Sequence, residues 1–122
     1  MEFKIEGDLP TLNEYVNANR ANRYVGNNML RDAESVCWVY IQNAKVRGEI
    51  YPTMKPYEIE FEWHRKNAKT DIDNVVVGQK FIIDSLRYAG ILPNDSPKFF
   101  KAVRHNFFYD TKQNYVVVRI KN

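Results

Sequence analysis

The stretch KTDIDNVVVGQKFIIDSL, Lys69–Leu86, decides how many strands and helices the chain contains. Its apolar residues fit a helix running from Asn74 to about Ala89. At 100° per residue, Asp73, Val77, Lys80 and Asp84 fall within about 60° of one another. Val75, Val76, Ile82, Ile83, Leu86 and Ala89 lie opposite, so the charges form one stripe and the core face is left intact. Asp73 is the expected N-cap, its carboxylate accepting from free amides of the first turn. The competing reading is a short strand ending at Gly78, because three valines followed by glycine are poor helix formers. The two-sided pattern persists to Ala89 and favours the helix.

Outward from this element the order is simple. YEIEFEWH, Tyr57–His64, alternates strictly, with Tyr57, Ile59, Phe61 and Trp63 on one face and Glu58, Glu60 and Glu62 on the other. That is a half-buried strand, and the glutamate row reads as its solvated face rather than as a metal site. FKIEG, Phe3–Gly7, reads as a first strand. Residues 8–28 are polar, rich in asparagine and read as a long irregular segment of the kind that often carries function. From Met29 to Arg47, apolar residues at three- and four-residue steps predict an amphipathic helix, capped by Asn27 or Asn28 and stopped by Gly48. After the turn cluster GILPNDSP come two strands, KFFKAVRHNFFY and NYVVVRI, joined by DTKQN as an expected hairpin. The expectation is one α+β domain over residues 1–122, in β-α-β-α-β-β order, with a small mixed sheet and two helices packed on one face.

Bulk properties agree with one soluble domain. The chain has 122 residues, 44% hydrophobic and 27% charged, with a net charge of +3. This mild basicity permits a nucleic-acid partner without requiring one. The single cysteine, Cys37, rules out an intrachain disulfide and a cysteine-based zinc site. No run approaches the ~18 apolar residues of a membrane span. The first residues lack the features of a secretory signal, so a reducing, cytoplasmic setting is expected. Asn94-Asp95-Ser96 then reads as a chance match to a glycosylation acceptor. His64 and His105 are isolated and read as strand residues with local partners. Ser85 and Ser96 have no nucleophile context, and GQKFIIDS lacks the glycine spacing of a phosphate loop.

The charged residues form a chemical pattern. Asp71 and Asp73 flank Ile72, and two carboxylates so close repel unless a cation or hydrogen bonds compensate. Asp95 lies in the turn after the helix. Arg65, Lys66 and Lys69 lead into the acidic pair, as suits a polyanion that binds through metal ions. Arg20, Arg23 and Arg31 are further candidate phosphate contacts, and Lys98, Lys101 and Arg104 could extend a basic surface. Together these residues point to metal-assisted phosphodiester hydrolysis: Mg²⁺ is commonly held by one or two carboxylates, waters and substrate phosphate, and Lys80 could neutralise developing charge.

DIDN at 71–74, KFIIDSL at 80–86 and AGIL-NDS at 89–96 resemble the signature of the RusA-type Holliday junction resolvases, and LPTLNEY at 9–15 resembles their N-terminal segment. The resemblance covers about residues 9–17 and 69–96. It implies that Asp71, Asp73 and Asp95 bind the catalytic Mg²⁺ or Mn²⁺, and that Lys80 is the essential lysine. It also implies a homodimeric endodeoxyribonuclease of bacterial or phage origin that cuts four-way DNA junctions. In the common family pattern the lysine stands four residues after the second aspartate. Here Val77 holds that position, Lys80 comes seven residues after Asp73, and Asn94 stands where the family often has aspartate. A broader branched-DNA nuclease and a DNA-binding module without catalysis are the competing readings.

Overall fold

A computed structural model describes all residues, Met1–Asn122. The order is β1 (Glu2–Glu6), α1 (Leu12–Ala21), α2 (Arg23–Val46), β2 (Tyr57–His64), α3 (Ile72–Val76), α4 (Gly78–Tyr88), β3 (Phe100–Phe108) and β4 (Tyr115–Lys121). This is the expected α+β single domain, with an additional helix, α1, in the segment expected to be irregular and with the second expected helix divided into α3 and α4. No helix is long and apolar enough to cross a membrane.

The sheet runs β1-β4-β2-β3. β4 is antiparallel to both β1 and β2, whereas β3 is parallel to β2. The expected β3–β4 hairpin is therefore absent, because β2 lies between the two strands. Side-chain character explains the order. β2 buries Tyr57, Ile59, Phe61 and Trp63, and β4 buries Val116, Val118 and Ile120. β3 buries nothing fully, and its Val103 is 42% exposed. The two apolar strands take the interior of the sheet, where burial contributes about 1.5–3 kcal/mol per large side chain, and the polar strand takes an edge.

The helices cover the apolar face. Ala33, Cys37, Ile41 and Ala44 of α2 join Phe81, Ile82 and Leu86 of α4 and the inward residues of β2 and β4 in one core. Burial pushes the Cys37 thiol up to about 12, so it stays protonated as a small apolar group. On the outer face Glu58 is exposed, whereas Glu60 and Glu62 of the glutamate row are paired. Arg119 donates to Glu2, Glu60 and Glu62, and Lys121 pairs with Glu60 at 3.5 Å. The Arg119 hydrogen bond holds the Glu62 carboxyl below the usual carboxylate range.

Residues 8–28 are more regular than their composition suggests. Thr11 caps α1, its hydroxyl oxygen accepting from the Glu14 amide at 3.2 Å and its O–H donating to the Glu14 carboxylate at 3.1 Å. Asn22, in extended conformation, ends α1 and caps α2 by accepting from the Val25 amide at 2.8 Å. Thus α2 starts at Arg23, six residues before the expected Met29, and it ends before Gly48 as expected.

The Lys69–Leu86 stretch is helical but broken. Asp71, not Asp73, occupies the N-cap position, and its side chain makes no capping bond. Its carbonyl oxygen accepts from the amides of Asn74 and Val75. Asp73 lies in the first turn. At Val77 the ladder is interrupted, and the Lys80 amide donates to the Val77 carbonyl three residues back. At this break the Gly78 backbone packs closely on other elements. A Cβ there would lie 2.9 Å from Cη2 of Trp63 and 3.2 Å from Cδ1 of Leu9. Only glycine lets the backbone sit this close to the indole.

Candidate functional site

An open groove of about 570 Å³ lies beyond the C-terminal end of β2. Leu9, Pro10, Thr11 and Glu14 line one part of it, and Arg65, Lys66, Asn67, Lys69 and Thr70 another. Asp8 and Asn114 complete the lining. In sheets with parallel strands and a helical crossover, ligand sites recur outside these strand ends, where the chain leaves the sheet.

The groove is braced by hydrogen bonds between its loops. The Asn114 side chain donates to Asp8 and accepts from the Lys66 amide at 2.8 Å. The Arg65 amide donates to the Phe108 carbonyl at 2.8 Å, and the Thr111 amide donates to the Arg65 carbonyl. A second brace ties α1 to α3: the Asn13 amide donates to Asn74 Oδ1 at 2.9 Å. Through it, the LPTLNEY segment and the DIDN run, 61 residues apart in sequence, meet at one place.

Charge in the groove is uneven. Arg65 is compensated by Asp8 at 3.5 Å. Lys66 and Lys69 are exposed and pair with no carboxylate. Thr70 ends the lining, and Asp71 and Asp73 follow directly. Both are exposed, and neither is paired with a cation of the chain. Glu14, within the groove lining, likewise has no lysine or arginine partner, so the uncompensated carboxylates extend from the groove to Asp71 and Asp73.

Asp95 is not part of this group. The crossover carries the chain from the C-terminal end of β2 to the start of β3, so the turn holding Asp95 lies at the opposite end of the sheet. β2 alone rises about 26 Å over its eight residues. There Asp95 faces Arg87 at 3.8 Å and the Tyr57 hydroxyl, whose pKa is raised by burial and by the Asp95 charge. The Tyr57 hydroxyl donates to the Asn94 carbonyl at 3.3 Å. No three of the histidine, cysteine, aspartate and glutamate side chains form a cluster able to hold a metal ion. Of the three expected ligands, Asp71 and Asp73 therefore stand together at the start of α3, and Asp95 stands apart from them beside Arg87. A pair still fits Mg²⁺, which takes one or two carboxylates and completes its shell with water and phosphate.

Lys80 and Asp84 form the expected i, i+4 contact at 3.4 Å, and Arg87 reaches the other oxygen of Asp84 at 3.3 Å. Glu34 on α2 faces this group. Burial, with the Asp84 charge adding to it and Lys80 opposing, raises its pKa above the usual range. The six candidate phosphate contacts divide. Arg65, Lys66 and Lys69 line the groove. Arg20 and Arg23 flank the α1–α2 junction, and Arg31 borders a separate cleft with Trp38, Val39 and Tyr88. Lys98 lies over the Phe99 ring, Lys101 donates to the Pro97 carbonyl, and Arg104 is exposed on β3.

The two histidines have local partners, as expected: His64 stacks between Phe108 and Tyr115, and His105 bonds Trp63 and Gln79. Sequence reasoning missed Asp8, Glu14 and Asn114 in the groove. Thr11-x-x-Glu14 is a capping-box signature and could have located the wall they share. Nothing local marks Asn114, whose partners come from two distant loops. No model of a known protein family matches the chain, and no curated protein matches it.

Proposed function

We propose that the chain is a Mg²⁺-dependent, structure-selective endodeoxyribonuclease acting on branched DNA, four-way junctions above all, as a two-fold homodimer. The observation that carries this reading is the juxtaposition of uncompensated Asp71 and Asp73 with a braced groove bearing the free cations Lys66 and Lys69. The ordered DIDN, KFIIDSL and NDS elements support it, as does the meeting of the LPTLNEY segment with DIDN through Asn13 and Asn74.

In this reading Lys66 and Lys69 take the phosphates of one strand, and the Asn114 and Asp8 bonds keep the loops that carry them fixed. Asp71 and Asp73 would hold Mg²⁺, or Mn²⁺ in its place. When bound, the ion supplies Lewis-acid stabilisation of the phosphate and lowers the pKa of a coordinated water. Lys80, exposed at the start of α4, offsets charge developing on the phosphate, and Asp84 orients it. Two matched cuts across a junction of two-fold symmetry call for two such sites, which a homodimer provides. The exposed apolar side chains of Trp38, Val39 and Tyr88 offer surface for that association.

The rival reading is a DNA-binding module without catalysis, and the separation of Asp95 from Asp71 and Asp73 favours it. Synthetic four-way, Y-shaped and linear DNAs incubated with Mg²⁺ separate the two. The nuclease reading expects symmetric nicks in the four-way junction, faster than cleavage of the Y form and far faster than cleavage of the linear duplex. Equal rates on the junction and the Y form would replace it with a broader branched-DNA nuclease. Tight junction binding with no cleavage in Mg²⁺ or Mn²⁺ would establish the binding module.

A further inference from the structure

We propose that His105 is a positioning residue: in its neutral form it clamps the first turn of α4 to β2, and protonation releases that clamp. The proposal deepens the nuclease reading, because it rests on Lys69–Leu86 being the reactive element. Trp63 Nε1 donates to His105 Nδ1 at 2.9 Å. An indole N–H can only donate, so Nδ1 carries no proton. The ring proton is therefore on Nε2, which faces the Gln79 side-chain oxygen at 2.8 Å and donates to it. The result is a directed chain from β2 through β3 to α4.

Both ends of the chain bear on the broken helix. The Trp63 ring is the surface against which Gly78 packs, so its position sets the height of the α3–α4 break. Gln79 immediately precedes Lys80, the cation assigned to the phosphate. Adding a proton to Nδ1 would set two donors against each other, and the chain would open at Trp63.

The groups packed against the ring are Phe61 and Trp63 on β2, both stacked, and Gln79 on α4. All are neutral. On β3 itself, Arg104 and Asn106 flank His105 and point to the opposite face of the sheet. Burial alone holds the His105 pKa below its ordinary value. Between the folded and unfolded pKa values the unfolded chain binds more protons, so stability rises with pH through that window. The clamp is complete above about pH 6.5 and is lost as the pH falls through the folded value.

The test uses ¹⁵N-labelled protein, the indole signal of Trp63 separated from that of Trp38 by Trp38→Phe, and His105→Gln as the non-titrating variant. We expect the Nε2–H tautomer at pH 8. Below pH 6.5 we expect the Trp63 indole signal to titrate together with the imidazole. Amide exchange at Lys80 should then accelerate as the pH falls, against the intrinsic trend, and His105→Gln should abolish that inflection. An Nδ1–H tautomer, or an indole signal that ignores the His105 titration, overturns the clamp. On junction DNA, kcat should fall about 10-fold across the same pH interval with KM unchanged, as expected for a misplaced catalytic group. His105→Gln should flatten the profile, and identical profiles for the two proteins overturn the positioning role. If the wild type cleaves at no pH, the nuclease reading fails, and the imidazole and indole signals still decide the clamp.

Discussion

Replacing Gly78 by alanine tests the packing at the junction of α3 and α4, because two effects of known size act in opposite directions there. In an open helical position, Gly→Ala stabilises by at most about 1 kcal/mol through helix propensity. At Gly78 the new methyl would lie 2.9 Å from Trp63 Cη2, 3.2 Å from Trp63 Cζ3 and 3.2 Å from Leu9 Cδ1. Overpacking of this kind costs about 1–3 kcal/mol. Trp63 cannot move freely, because its N–H is tied to His105 and its ring stacks on Phe61. The net expectation is destabilisation of up to about 2 kcal/mol, read as a lower urea midpoint with an unchanged m-value. At this chain length the corresponding drop in Tm is up to about 8 °C. A Gly78→Ala protein stabilised by about 1 kcal/mol would show that the junction is open, and the close packing of Gly78 on Trp63 and Leu9 would be wrong.

Two further expectations concern charge. The Lys66→Ala, Lys69→Ala double variant should lower the slope of log affinity against log salt by about 1.8, since each lost phosphate contact removes about 0.9; an unchanged slope in fluorescence anisotropy would place the DNA elsewhere. Glu34→Gln should raise Tm at pH 7–8. Its raised pKa means that the folded chain holds the proton more tightly, so the ionised form opposes folding above that pKa. The gain should be a few tenths of a kcal/mol, the size of a like-charge repulsion between neighbouring helix positions, and should vanish below about pH 4. A lower Tm for this variant would contradict the assigned repulsion from Asp84.

The elements with strict periodicity were legible in the sequence. Tyr57, Ile59, Phe61 and Trp63 alternate because one face of β2 meets the helices, and all four are buried. The stripe on Lys69–Leu86 was legible for the same reason, with Ile82, Ile83 and Leu86 inside and Lys80 outside. The break at Val77 was not, because the backbone beside it packs on an indole from another element, which no local pattern announces. The β3–β4 pairing was misread because DTKQN is a local signal, whereas strand order follows from which strands can fill the interior. α1 was hidden by its asparagines, although Thr11 and Glu14 marked its start. In the candidate site, the neighbourhood of Asp71, Asp73 and the 65–69 cations was legible because it is continuous in sequence. The place of Asp95 depended on which end of the sheet the crossover reaches, and no local pattern carries that information.

The most direct test of the central claim is single-turnover cleavage of a synthetic four-way junction in Mg²⁺ by the wild type and by Asp73→Asn, with junction affinity measured in parallel without Mg²⁺. The substitution should lower the cleavage rate by about 100-fold or more, the scale of losing an electrostatic catalytic group. Affinity should be unchanged or tighter, since a negative charge is removed close in sequence to the groove proposed to take the phosphates. Cleavage by Asp73→Asn at the wild-type rate would contradict the claim.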